Sequence, residues 1–251
     1  MCKNYCYAYL MPLYSSLFFL YNMRMKLRFL EKYHEADDVY SFLFKAQGPL
    51  AWQAGQYLPY TLEHENVDER GTKRFFSIAS APFEKHVRIT TRINQERRSS
   101  FKQALFTMQA GQTIEAQGPH GNFVVESPSQ QHVFLAGGIG ITAFRPILLD
   151  LDHQSLPVNV QLLYSNRDSN FVYKKELDEL AQKYPSLHIH YLVEPERIDK
   201  ETVQRLVPDL TKPVFYVSGP LPLVNAMEQM LGALGVPDTH VKEDHFPGYQ
   251  E

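Results

Sequence analysis

Two cysteines in 251 residues, Cys2 and Cys6, exclude more than they offer. A cysteine-ligated iron–sulfur cluster takes four thiolates, and a disulfide framework takes more than one neighbouring pair. The C-x-x-x-C spacing could bind a metal, but no nearby His or Cys completes a site, so no metal centre is expected. Charge of one sign is also lacking. The net charge is −3, too small to draw a polyanion, so nucleic acid is not an expected partner. The imbalance is internal: Arg24 to Glu126 holds 14 Lys/Arg against 12 Asp/Glu, and Ser127 to the end 10 against 16. A clean membrane span is missing too. Asn4 to Met23 is uncharged and long enough, at about 20 residues, but it carries Pro12, two serines, two asparagines and five tyrosines. No small-residue cleavage site follows it. Residues 1–24 are therefore expected to be an extension ahead of a domain that begins near Met25. Membrane contact through them is the less favoured alternative, and a cytoplasmic setting is the default.

What is present divides in two. From Lys26 to about Val125 the chain reads as short strands broken by turns: "KLRFLEKYHE", "VYSFLFKA", "QYLPYTLEH", "KRFFSIAS", "HVRITTRI" and "QTIEAQG". One helical piece, "SSFKQALFTM", opens on the cap candidates Ser99 and Ser100. This is the pattern of a small antiparallel barrel. "ESPSQQ" then reads as a linker. Beyond it "HVFLAGG", "VNVQLLYS", "LHIHYLV", "PVFYVSG" and "HVKEDHF" read as strands that alternate with helices, which implies a parallel sheet covered on both faces. The expected fold is an all-β antiparallel barrel over 25–127 followed by an α/β, Rossmann-like parallel-sheet domain over 128–251.

The chemistry gathers at turns. "AGGIGIT" falls where a strand ends and a helix begins, with Gly137, Gly138, Gly140 and Thr142 in the turn. Glycines there admit a phosphate close to the backbone, and the helix N-terminus offers free N–H groups. "VSGP", with Ser218, Gly219 and Pro220, ends the fourth strand of the same sheet. Ligands in such sheets bind beyond the carboxyl ends of the strands, so both loops suggest one ligand lying across that edge. In the barrel, "RFFS" puts a cation, rings and a hydroxyl within four residues. Arg74 suits a pyrophosphate, Phe76 a planar heterocycle and Ser77 a ring nitrogen. Period two sets Arg74 and Phe76 on one face and Phe75 and Ser77 on the other, so a bend or bulge is expected near the motif.

These elements together resemble the ferredoxin–NADP reductase family of flavoproteins, over about Met25 to Tyr249. Arg74, Phe76 and Ser77 match its R-x-[YF]-[ST] signature, and Ser99 and Ser100 its second flavin-phosphate element. "GPHGNF" matches its GPxGxF turn, "AGGIGITA" its AGGxGxTP loop, and Ser218, Gly219 and Pro220 its last loop. The resemblance implies a barrel that holds FAD, with Phe75 and Thr91 as further contacts, and a second domain that binds NAD(P)H. It implies hydride transfer to the flavin and electron delivery to a separate acceptor such as ferredoxin, flavodoxin or another redox protein. Ser77 would act at flavin N5, Ser218 beside the nicotinamide, and Phe246 in the tail would cover the flavin ring.

Departures from the family pattern accompany the match. Phe76 stands where many relatives have Tyr, and Ser218 where many have Cys. NADH or NADPH is left open: Arg167 would suit a 2′-phosphate, while Glu194 and Glu196 would suit an unphosphorylated ribose. The cations Arg88, Arg92, Arg97, Arg98 and Lys102 are a candidate docking patch for an acidic electron carrier. The alternatives are a flavin-binding electron-transfer subunit of a larger complex and a membrane-associated reductase.

Overall fold

The computed structural model describes residues 24–94 and 98–245. The extension ahead of Arg24, Arg97 and Phe246 lie outside the described residues.

Six antiparallel strands form the first sheet: β1 (Arg24–Ala36), β2 (Val39–Ala46), β3 (Tyr57–Thr61), β4 (Lys73–Ser77), β5 (Val87–Arg92) and β6 (Thr113–Gln117), in the order β4-β3-β6-β1-β2-β5. The long strand β1 shifts register against β2 between Phe29 and Glu31 and again between His34 and Ala36. Such irregularities bend a strand and raise its twist, which curls the sheet. Its edges meet just past β4, where the Ala79 N–H donates to the Arg88 carbonyl at 2.9 Å. Leu27, Phe42, Phe44, Leu58, Ile78 and Ile89 fill the interior, each contributing roughly 1.5–3 kcal/mol by burial. Helix α1 (Ser100–Thr107) inserts Phe101 and Leu105 into that core. The Ser99 side chain caps it, accepting from the Lys102 N–H at 3.2 Å.

The second sheet is parallel. Its strands are β7 (His132–Gly137), β8 (Val160–Asn166), β9 (Leu187–Val193), β10 (Val214–Gly219) and β11 (Val241–His245), in the order β11-β10-β7-β8-β9. Helices α2 (Ile141–His153), α3 (Lys174–Lys183), α4 (Lys200–Leu206) and α5 (Leu221–Ala233) intervene. Period two is visible in β7: Phe134 and Ala136 join one core cluster and Val133 and Leu135 another, one on each face. The chain runs outward from β7 to β9 and then returns to the far side of β7 as β10. That reversal makes the gap between β7 and β10 the topological switch point, where ligands of open α/β sheets bind.

The two sheets are joined through α2. Phe123, in the turn after β6, packs against Phe144 of α2 at 5.4 Å and Tyr216 of β10 at 5.2 Å. Phe83 stacks on His153 at 4.1 Å. Arg145, 3% exposed, donates to the Ala79 carbonyl at 2.8 Å, to Glu84 at 2.8 Å and to Glu176 at 2.6 Å. These contacts fix the start of α2, and with it the glycine turn, against the barrel. Among the described residues no helix is long and apolar enough to cross a membrane.

Candidate active site

Both glycine-bearing loops sit at the switch point and touch each other. A Cβ placed on Gly140 would come within 2.1 Å of the Ser218 carbonyl oxygen, and one on Gly137 within 2.7 Å of a Leu223 methyl. Gly138 adopts φ +51°, a left-handed conformation that glycine enters without strain. The space between the paired loops is therefore filled by their own atoms. Pro220 precedes the first turn of α5, whose Leu223 and Val224 N–H groups return to the Pro220 carbonyl. Thr142 is turned inward: its hydroxyl donates to the Ile139 carbonyl at 2.9 Å, closing the turn on itself.

Ser77 and Ser218, which the sequence separates by a whole domain, converge. The Ser77 hydroxyl donates to Asp244 Oδ2 at 3.1 Å, and the Ser218 hydroxyl reaches the same oxygen at 3.5 Å. Asp244 was not singled out by the sequence reading. Its signal was positional: it stands opposite Ser218 in the β10–β11 register, at the carboxyl edge where the chemistry gathers. All three side chains are buried. Burial pushes the Asp244 carboxyl up to about 7, against the lowering effect of the two serine hydrogen bonds.

The barrel half of the site is built on β4. The register of β3 with β4 runs unbroken from Tyr57↔Ser77 to Thr61↔Lys73. The bend expected near the motif is therefore absent, and regular alternation suffices. Arg74 and Phe76 share a face, for both lie against the Phe101 ring of α1, at 5.4 and 6.0 Å. Ser77 faces the other way, and the second sheet covers it through Asp244. Phe76 is 8% exposed and also meets Tyr60, while Phe75 stands 36% exposed beside Tyr57. Thr91 is buried on β5, and Ser100 opens α1.

Two polar atoms on this face lack a hydrogen-bond partner among the described residues: the buried Tyr60 hydroxyl and Arg74 Nη2, the latter 3.6 Å from an Asp68 carboxylate oxygen. They belong to cross-strand partners, Tyr60↔Arg74. Buried groups left so exposed to desolvation cost call for a polar ligand, and a guanidinium nitrogen beside a helix N-terminus suits a phosphate. The donor set thus fits a phosphorylated flavin. From Arg74 to Ser77 is three residues of strand, about 10 Å.

The cations divide differently from the expectation. Arg88 is largely covered, 3.5 Å from Glu84 and 4.0 Å from Glu35. Arg92 pairs with Asp38 at 2.9 Å, and its Nη2 lies 3.8 Å from where a Gly138 Cβ would be. It overlooks the glycine turn rather than an acceptor face. Arg98 rests on the Phe106 ring at 5.6 Å. Arg167, Glu194 and Glu196 are exposed on loops after β8 and β9.

Comparison with known proteins agrees with this architecture. The family described as "Oxidoreductase NAD-binding domain" matches residues 134–229. The ferredoxin reductase component of 3-ketosteroid-9-alpha-monooxygenase from Mycolicibacterium smegmatis is 30% identical over 242 residues, 88% of this chain and 65% of that protein. The NAD(P)H-flavin reductase of Vibrio harveyi is 30% identical over 173 residues, 65% of this chain and 70% of that protein. The chain belongs to the ferredoxin–NADP reductase family of flavoproteins. Within this family the fold is widely shared. The cytochrome b5 reductase domain of Ulva prolifera nitrate reductase superposes with a TM-score of 0.77 at 22% identity, over 90% of this chain and 99% of that one. The ferredoxin–NADP+ reductase of Plasmodium falciparum gives 0.75 at 15% identity, over 88% and 96%. The chain spans 65% of the length of several monooxygenase reductase subunits that it matches.

Proposed function

We propose that this chain is an FAD-dependent oxidoreductase that takes a hydride from NAD(P)H and passes electrons to a separate acceptor. The observation that carries the reading is the shared carboxylate: a serine of the flavin signature and a serine of the nucleotide loop meet on Asp244 at the switch point. The flavin, when bound, supplies the redox chemistry. The chain's own residues do the rest. Arg74 and the start of α1 hold the phosphates, and Phe76 and Phe75 border the ring system. Ser77 presents a hydroxyl to the reacting edge. Gly138 leaves room for the nucleotide pyrophosphate, with Arg92 above it, and Gly140 lets the turn close against Ser218. Asp244 is poised near neutrality, so it can hold a proton at Oδ2 and share it with the Ser77 hydroxyl. Packing of α2 against the barrel keeps bulk water out from between them.

The acceptor is proposed to be a redox protein, as the reductase components and subunits among the relatives suggest. Phe246, one residue beyond the last described one, is proposed to cover the flavin. Phe246→Ala should then tighten nucleotide binding and speed oxygen reduction, with flavin content unchanged. The overall reading is tested by NAD(P)H oxidation with ferricyanide as a non-specific acceptor. Turnover should depend strictly on added flavin. Flavin-independent turnover, or none with saturating FAD and either nucleotide, would refute it.

A further inference from the structure

The phosphate-binding end of the site already holds an anion of the chain's own. Asp68, in the loop between β3 and β4, accepts from the Ser100 N–H, the first of α1, at 2.8 Å. Its other carboxylate oxygen lies 3.6 Å from Arg74 Nη2. The contact is reciprocal, because the Asp68 N–H donates to the Ser100 hydroxyl at 3.0 Å, and His64 Nε2 meets that hydroxyl at 2.9 Å. A carboxylate at a helix N-terminus, beside a guanidinium, takes the place where a phosphate would sit. Burial alone would raise the Asp68 carboxyl, but the hydrogen bonds from Ser100 and Arg70 outweigh it and hold it at about 2. The group is therefore ionised at any working pH.

The loop that carries Asp68 is mostly solvent-exposed and is tied to β4 through Arg74, whose Nη1 donates to the Arg70 and Gly71 carbonyls at 2.7 and 3.1 Å. Glu63, Glu65, Asn66, Val67, Glu69 and Arg70 are exposed, so little apolar burial fixes it. Arg70 pairs with Asp68 at 2.8 Å from the solvent side, so the carboxylate keeps a counter-ion when it leaves α1.

We infer that Asp68 is an internal stand-in for a flavin phosphate, a latch that must leave Ser100 and Arg74 before a pyrophosphate can take them. The inference rests on the flavin reading above. Phosphate-bearing flavins must displace the carboxylate, whereas riboflavin, which has no phosphate, need not. FAD is consequently held as an exchangeable ligand rather than as a permanently seated group.

The test is equilibrium titration of the flavin-free protein with FAD and with riboflavin, read by flavin fluorescence, for the wild type, Asp68→Asn and Asp68→Ala. Freeing a charge-assisted donor pair should tighten FAD about tenfold or more, with riboflavin affinity unchanged. FAD affinity unchanged or weakened in both variants would overturn the latch, as would riboflavin tightening as much as FAD. If the wild type binds neither flavin, the flavin reading itself falls and the latch with it. A wild type that binds both, with variants showing no selective gain, overturns the latch alone.

Discussion

At the scale of the residue, the site is one carboxylate with two hydroxyls and one guanidinium with a helix start. Asp244 carries the pH behaviour. Its carboxyl is raised in the folded state, so the folded protein binds a proton that the unfolded chain gives up at ordinary carboxylate pH. Between about pH 4 and 7 the folded Asp244 holds more proton than the unfolded one, and its contribution to stability falls as pH rises through that window. Asp244→Asn should remove this slope and raise stability at pH 8, which the urea midpoint measured at pH 5, 6.5 and 8 would reveal. An unchanged slope would mean that Asp244 is ionised in the fold. Arg74→Ala should lower FAD affinity by about ten- to a hundredfold while the far-ultraviolet circular dichroism stays the same, and full flavin retention after dilution would contradict its role. Much of this was legible in the sequence, because Arg74, Ser77 and Ser218 stand in motifs. Asp244 was not, since an acidic residue in a terminal strand becomes informative only when the strand's register sets it opposite Ser218. Asp68 was hidden for a similar reason: nothing local marks a loop aspartate as the neighbour of a helix that starts 32 positions later.

At the scale of the element, strands and helices followed from period and from glycine placement. All eleven strands and five helices of the described residues fall where hydrophobic alternation and turn residues put them. The bend expected at β4 is absent because Arg74 and Phe76 serve one face of a regular strand and Ser77 the other. β4 ends where the barrel meets the second sheet, so its second face is covered at Ser77 while Phe75 stays exposed. Two element-level predictions follow from close contacts. Gly140→Ala would force the first turn away from β10, since its Cβ would overlap the Ser218 carbonyl. It should cost about 1–3 kcal/mol of stability and weaken NAD(P)H binding while FAD binding holds. Chemical denaturation and nucleotide titration check each half. Arg145→Met should cost about 3 kcal/mol, because it takes from Glu84 its closest cation and leaves Arg88 at 3.5 Å, His86 at 4.0 Å and the Ala81 N–H beside it. Adding Glu84→Gln should recover part of that loss, and simple additivity of the two changes would show that the ion pair is not the cause.

At the scale of the whole molecule, the arrangement is two sheets meeting at one edge, with the flavin signature on one and the switch point of the other facing it across Asp244. Sequence order alone could not bring these halves together. The barrel motif and the glycine loop became one site only because α2 is pinned to the barrel by Arg145, Phe144 and His153. The claim that this junction passes a hydride is tested most directly by anaerobic mixing of FAD-loaded protein with NADH or with NADPH, followed through the visible flavin absorbance. The account predicts rapid bleaching by at least one nucleotide, markedly slowed in Gly140→Ala. A flavin that stays oxidised with both nucleotides, yet is bleached by dithionite, would contradict it.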